Sequence, residues 1–171
     1  STKRCVVTLA DIVRQVNILR NVIGMLTSEF ECKVYADEVR EDFKRPCFFI
    51  TATSEMRPQT TNWMNKTLTI VLEYYAKPGD KNEITYMDVV DRIQMMFPIG
   101  IQAGDRFLKI ESIEDDRVGE EDDILQITIV IPYVERTNKA AGTDELIEEI
   151  GMNIIDSKQN NFPDTITKED T

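Results

Sequence analysis

The stretch Thr67–Tyr75 reads TLTIVLEYY, and its large apolar side chains recur at every second position. Successive side chains of a β-strand point to opposite faces, so this alternation predicts a strand with one face in the core. The buried face would carry Leu68, Ile70, Leu72 and Tyr74, and the other face would carry Thr67, Thr69, Val71, Glu73 and Tyr75.

A second strand is predicted upstream of this one. Pro46–Thr53 reads PCFFITAT, which is rich in aromatic and β-branched residues directly after a proline. We expect it to pair with Thr67–Tyr75 as a hairpin. The connection Glu55–Asn65 contains Trp63 and is too long and polar for a tight turn.

Three further strands are predicted on either side of this pair. Cys32–Ala36 is a short strand, and Phe107–Glu114 and Ile124–Tyr133 form a second pair around a charged turn centred on Gly119. Pro132 places the end of the last strand at an edge or a bulge. Alternation in that strand directs one set of side chains to one face: Leu125, Ile127, Ile129, Ile131 and Tyr133.

Helical periodicity predicts two long helices. The first spans about residues 8–27, with Thr8 as its N-cap and Asp11 near the positive end of the helix dipole. The second spans about residues 84–97 and follows a turn at Lys77–Asp80. The apolar stripe of the first has members at three- and four-residue steps: Leu9, Ile12, Val13, Val16, Leu19, Ile23 and Leu26.

These elements predict an α+β fold with a mixed or antiparallel sheet of four to five strands. Both long helices would lie on one face of the sheet, and a C-terminal extension would follow. We expect one α+β domain over residues 1–136. Residues 137–171 would form a short helix and a mobile arm, because this segment has little apolar area to offset its ordering entropy.

Composition argues against several classes of function. The 171 residues carry 31 acidic and 20 basic side chains, a net charge of -11, so nucleic-acid phosphates would on average be repelled. No stretch approaches the roughly 20 apolar residues of a membrane span, and Ser1–Cys5 lacks a secretory apolar run. We therefore expect a soluble protein made in a cytoplasm, with free thiols at its three cysteines and no membrane partner.

The chain has no histidine, which removes most of the familiar catalytic triads and zinc sites. Carboxylates remain, and Asp115, Asp116 and Asp123 could in principle hold a hard metal in a carboxylate-based enzyme. The spacing does not match an EF-hand, and a block of like charge is more typical of a solvated turn. No phosphate-binding glycine loop is present. We expect no catalysis, no metal and no cofactor.

Three features are candidates for binding. Lys44 and Arg45 lie among phenylalanines, a pattern that can bind single strands of nucleic acid, although the acidic balance disfavours it. Trp63 is either an exposed anchor for a partner or a residue folded over the sheet edge. Phe162 and Ile166 either decorate a disordered end or anchor an arm on a neighbouring subunit, and we favour the arm.

Residues 34–50 read VYADEVREDFKRPCFFI. This stretch resembles the tail terminator family of phages and prophages of Gram-positive bacteria and of related contractile bacteriocins. The shared pattern is a strand ending in tyrosine, an acidic connection, a Phe-Lys-Arg-Pro approach and the Cys-Phe-Phe-Ile strand. The order of elements extends the resemblance over about residues 8–136.

The resemblance implies a subunit of a hexameric ring at the head-proximal end of a tail. Such a ring stops polymerisation of the tail tube or sheath, and in a phage it presents the surface that joins the head. Its partners would be copies of itself, tube and sheath subunits and a head–tail connector, with DNA only passing through an acidic bore. It would belong to a virion tail or bacteriocin particle that assembles in the cytoplasm of the bacterial host.

Charged loops at strand ends are where ring neighbours can meet. We therefore predict inter-subunit polar contacts in the segment before the Cys-Phe-Phe-Ile strand, against the alternative of a solvated loop. The residues concerned are Glu38, Arg40, Asp42, Lys44 and Arg45. Two other functions remain open alternatives, the carboxylate-dependent metal enzyme and a small binding module of a cytosolic complex.

Overall fold

The centre of the fold is a mixed five-stranded sheet, seen in a computed structural model that describes residues 12–36 and 42–136. In spatial order its strands are β1 (Lys33–Tyr35), β2 (Cys47–Pro58), β3 (Trp63–Tyr75), β7 (Ile124–Arg136) and β6 (Ser112–Val118). The first pair is parallel and the others are antiparallel. The remaining elements are α1 (Gln15–Phe30), α2 (Glu83–Met96) and a ribbon of β4 (Gly100–Ala103) and β5 (Arg106–Lys109). The predicted α+β class and mixed sheet are confirmed.

One hydrophobic core joins both helices to a single face of the sheet. In α1 the buried residues Ile18, Val22 and Leu26 recur every four positions, which places them on one side of the helix. In α2 the buried side includes Val90 and Ile93. They share the core with the alternating strand residues Leu68, Ile70, Leu72, Leu125, Ile127, Ile129 and Ile131. Each fully buried aliphatic side chain of this kind contributes about 1.5–3 kcal/mol.

The first helix differs from its prediction at both ends. It begins at Gln15 and ends at Phe30, so Thr8 is not its N-cap; Thr8 and Asp11 lie outside the described residues. Arg14 is extended at the start of the helix, and the preceding backbone N–H of Val13 donates to the carboxylate of Glu135. This distant contact holds the chain extended just before the helix. Val16, assigned to the apolar stripe, is 44% exposed.

The second helix is confirmed within one residue at either end. Asn82 is its N-cap, and the side chain of Asn82 accepts a hydrogen bond from the backbone N–H of Thr85 at 3.0 Å. This contact satisfies one of the amides that have no partner inside the helix.

The hairpin of β2 and β3 is much longer than predicted. The two strands pair without interruption from Cys47↔Tyr75 to Pro58↔Met64, and residues 59–62 connect them. The prediction of a long polar connection over Glu55–Asn65 was wrong, and Trp63 is the first residue of β3. The side chains of Thr51–Pro58 are all exposed, so no apolar alternation marks this part of β2 as a strand.

The single strand predicted over Phe107–Glu114 is two strands with different partners. The N–H of Ile110 donates to Ile99 in the loop before β4, whereas the N–H of Glu111 donates to Val130 in β7. The chain therefore leaves the small ribbon and joins the main sheet between these two residues. On β7, the apolar face is buried as predicted. Among the described strands, β6 pairs with β7 only as far as Val130, so Pro132 has a strand neighbour, β3, on one side alone and lies at an edge as predicted.

Candidate functional site

Four aromatic side chains meet on the sheet face that the helices leave open. Phe48 enters the core, so the next residue of β2, Phe49, points to the opposite face. Its ring centroid lies 5.2 Å from those of Tyr35, Phe43 and Tyr75, and Phe43 lies 5.1 Å from Tyr75. All four are half-buried. We call Tyr35, Phe43, Phe49 and Tyr75 the aromatic cluster.

Basic residues that were predicted as subunit contacts lie beside the aromatic cluster. The guanidinium of Arg45 lies 5.3 Å from the ring centroid of Phe43 and 5.5 Å from that of Tyr75. Cation–π contacts of this kind contribute about 0.5–1 kcal/mol at exposed sites. Lys44 and Asp42 are exposed next to them. The cluster therefore presents an apolar surface with charged neighbours, the composition that protein interfaces favour.

The remaining predicted contact residues are divided between the described and undescribed parts of the chain. Trp63 is 45% exposed at the far end of β3, and the guanidinium of Arg136 lies 5.6 Å from its ring centroid. The indole is thus partly covered by a neighbouring strand and partly open to a partner. The other four lie outside the described residues: Glu38, Arg40, Phe162 and Ile166.

The acidic turn between β6 and β7 is held by basic side chains. The ammonium of Lys81 bonds the carboxylate of Asp123, and this hydrogen bond lowers the pKa of Asp123. Arg117 contacts Asp115 at 3.4 Å and Glu83 at 3.1 Å. Asp123 also accepts a bond through its backbone carbonyl from the hydroxyl of Tyr86 in α2 at 2.8 Å.

These ion pairs bear on the alternative metal site. Asp115, Asp116 and Asp123 each have a hydrogen bond to a side chain or backbone group of this chain. Within residues 12–36 and 42–136, no three acidic or thiol groups converge as metal ligands would. The turn instead connects the first turn of α2 to the hairpin of β6 and β7.

A free strand edge is the feature that sequence reasoning missed. The short strand β1 pairs only with Cys47–Phe49, and β3 occupies the other side of β2. Among the described strands, none pairs with the outer edge of Ile50–Pro58. The only signal in the sequence was a run of seven residues without glycine or proline, Thr51–Arg57, of which all but Met56 are polar or small.

A comparison with known protein families matches a region that contains the helices and strands described above. Residues 17–143 match the sequence profile of a family described as "Phage tail terminator protein". The chain belongs to the phage tail terminator family. The match includes every described strand, α2 and all but the first two residues of α1. No curated protein matches the chain significantly.

Family membership confirms the resemblance carried by residues 34–50, and it identifies this tail terminator as a component of phage tails that contacts other tail or head proteins. In the described part of the tail terminator, neither helix is long and apolar enough to cross a membrane.

Proposed function

We propose that this chain is a structural, non-enzymatic tail terminator that closes into a homohexameric ring at the head-proximal end of a tail. The ring would stop polymerisation of the tail tube and sheath, and in a phage it would bind the head–tail connector. The observation that carries the proposal is the family match over residues 17–143, which takes in nearly all of the described secondary structure.

Two unlike surfaces support a cyclic assembly. A ring requires two different patches on each subunit, one for each neighbour. Tyr75 in the aromatic cluster and Trp63 stand at opposite ends of the 13-residue strand β3, about 40 Å apart at roughly 3.3 Å per residue. Arg45 accompanies the first surface and Arg136 the second. Aromatic and arginine side chains are the residue types that most often dominate binding energies at interfaces.

We assign the predicted contact residues to these two surfaces. Asp42, Lys44 and Arg45 would meet one neighbour together with Glu38 and Arg40, and Trp63 would meet the other. Residues 1–136 would form the ring, and residues 137–171 would act as an arm anchored by Phe162 and Ile166 on an adjacent subunit.

Charge supports a position around the DNA path. A net charge of -11 per subunit would give a ring that repels phosphate, so DNA could pass through the bore without adhering. The ring would assemble in the host cytoplasm and remain in the virion tail or bacteriocin particle.

The test combines solution mass with tube assembly. Light scattering over a concentration series should give a hexamer for the full chain, alone or after addition of purified tail tube subunits. Electron microscopy should show tubes that are shorter with the chain present and carry a ring at one end. Tubes of unchanged length without terminal rings, at a molar excess of the chain, would refute the proposal.

Two variants test the contact surface within the same assay. Arg45→Glu removes the cation from two aromatic rings and should weaken the ring. Lys109→Glu makes the same change of charge at an exposed position of β5 and should leave the ring intact. Equal effects of the two variants would show that only total charge matters.

A further inference from the structure

Half of strand β2 extends beyond the core. Residues up to Ile50 include the buried Cys47 and Phe48, but every side chain from Thr51 to Pro58 is exposed. Strand residues direct their backbone groups alternately to either side, so about half of the N–H and C=O groups of this segment have no partner strand among the described residues. Long free edges of this kind are templates for another strand, and proteins usually shorten or cover them. The exposed edge therefore requires an explanation.

The opposite edge of the sheet is β6, which pairs only with β7 among the described strands. It is 7 residues long and carries Glu114, Asp115 and Asp116, all exposed. Two β6 edges would bring these acidic groups together, and like charges directly opposite each other destabilise a strand pair. The β2 edge has one acidic and one basic residue, Glu55 and Arg57, so it is the better partner for β6.

We propose that adjacent subunits of the ring join edge to edge, with Thr51–Arg57 of one subunit paired to Ser112–Val118 of the next. This inference rests on the proposed ring function. It uses two different edges of each subunit, which is the heterologous contact that a closed ring needs, and it adds to the side-chain contacts proposed above for Arg45 and Trp63. The occupant of the free β2 edge is thus a second copy of this chain.

The topology gives the direction of the new pair. Along β2, β3, β7 and β6 every neighbour is antiparallel, so β6 runs opposite to β2. A copy that continues the sheet with the same face outward therefore presents its β6 antiparallel to β2. The pairing needs no inversion of one subunit relative to the next.

The register of the new strand pair is limited by β1, which already pairs with the start of β2. Within one subunit Ser112 pairs with Val130, Val130 with Thr69, and Thr69 with Thr53. Ser112 and Thr53 therefore lie at the same position along the strand direction. Direct continuation would place Val118 beside Cys47, where β1 already lies. A shift that keeps side chains on their own faces must be an even number of residues. A shift of four residues, from Thr53 to Arg57, clears β1 and displaces neighbours by about 13 Å along the strands.

This register makes specific pairs. Ile113 would face Met56, which is 54% exposed in the single subunit. Glu114 would face Glu55 directly and would lie diagonal to Arg57, so the cation of Arg57 stands beside two carboxylates. Arg57 already contacts Glu55 at 2.6 Å within one subunit. The positive charge of Arg57 is therefore required at this interface, whereas the negative charge of Glu55 weakens the interface.

Hydrogen exchange measured by mass spectrometry tests the pairing on the full chain. Peptides covering Thr51–Arg57 and Ser112–Val118 should become protected together when rings form, alone or on tube ends. Peptides from the centre of β3 should be protected in both states, because β3 has a neighbour on each side. Protection of β2 without β6 would assign the edge to another occupant and overturn the proposal, as would protection of neither.

Two charge variants give an independent readout. Arg57→Glu should weaken the ring by about fivefold per interface, and Glu55→Lys should strengthen it by a similar factor. Both side chains are more than half exposed, so the fold should tolerate either change. Lys109→Glu is the matched control. No difference between Arg57→Glu and this control would overturn the pairing.

Failure of the pairing and failure of the ring are distinguishable. If the wild-type chain forms no ring in solution or on tubes, the proposed function fails. A ring that forms without protection of these edges refutes only the pairing. A dimer in place of a hexamer, with β2 alone protected, would indicate that two β2 edges pair with each other, which also refutes it.

Discussion

Replacement of Glu135 should destabilise the fold out of proportion to its place at the end of β7. Glu135 is only 3% exposed. Its carboxylate accepts the backbone N–H of Val13 at 2.9 Å and contacts the guanidinium of Arg106 at 3.1 Å. These bonds join the chain before α1 to β5 and β7, which are far apart in sequence.

The expected loss can be worked out from these contacts. Val13 is 5% exposed as a residue. In Glu135→Ala its backbone N–H would have no acceptor, at a cost of about 1–3 kcal/mol. Loss of one partner from a fully buried ion pair costs about 3–5 kcal/mol. Arg106, however, is 43% exposed and donates separately to the carbonyl of Val134, so its charge would not be stranded. The sum should be about 2–3 kcal/mol.

Urea unfolding with an unchanged m-value measures this loss. Glu135→Gln keeps one acceptor oxygen for the N–H of Val13 and gives up the bond to the partly exposed Arg106, so it should lose only about 1 kcal/mol. Glu111→Ala removes an exposed glutamate and should change stability by less than about 0.5 kcal/mol. A Glu135→Ala variant as stable as Glu111→Ala would refute the reasoning.

Two further predictions concern glycine and cysteine. A Cβ on Gly100 would overlap the carbonyl oxygen of Leu108, whereas a Cβ on Gly24 in α1 meets no atom within 4 Å. Gly100→Ala should therefore lower the free energy of unfolding and Gly24→Ala should raise it by about 0.5–1 kcal/mol, and the opposite order in urea unfolding would contradict this. Burial raises the pKa of the Cys47 thiol from 9.0 to about 11. The folded chain thus keeps that proton to higher pH than the unfolded chain. The contribution of the Cys47 thiol to the free energy of unfolding is therefore full below pH 9 and is lost as pH rises through 11. Unfolding of the wild type and of Cys47→Ala at several pH values should show a shallower loss in the variant, and parallel curves would contradict the assignment.

Sequence patterns predicted the elements whose residues face the core. Burial imposes alternation on β3 and β7 and helical spacing on α2, and these signals are present in the sequence. The prediction of β2 stopped at Thr53, and Ser54–Pro58 was missed, because exposed strand residues carry no such constraint. The start of α1 was misplaced because it depends on the contact between Val13 and Glu135, which no local pattern reports.

The residues of the candidate site could be predicted from the sequence only in part, for the same reason. Lys44 and Arg45 could be selected as charged residues at a strand end, and Trp63 as a lone tryptophan. The aromatic cluster, in contrast, combines Tyr35 and Tyr75 from strands that lie on either side of β2. Only the strand order brings these residues together. The ion pairs of the acidic turn also join separate segments, which is why the carboxylates could be considered a metal site from sequence alone.

The exposed half of β2 is costly to the single subunit and is therefore informative. Ordering the backbone costs about 1–2 kcal/mol per residue, and Thr51–Pro58 buries no side chain to offset it. An isolated hairpin would be marginal, but β3 also pairs with β7 as far as Trp63↔Arg136, so the extension belongs to a three-stranded sheet. That support orders the edge before any partner binds. A preordered edge loses less entropy on association, which favours its use as an interface. Because the core does not constrain Thr51–Pro58, changes there should alter assembly while leaving the stability of the single subunit nearly unchanged.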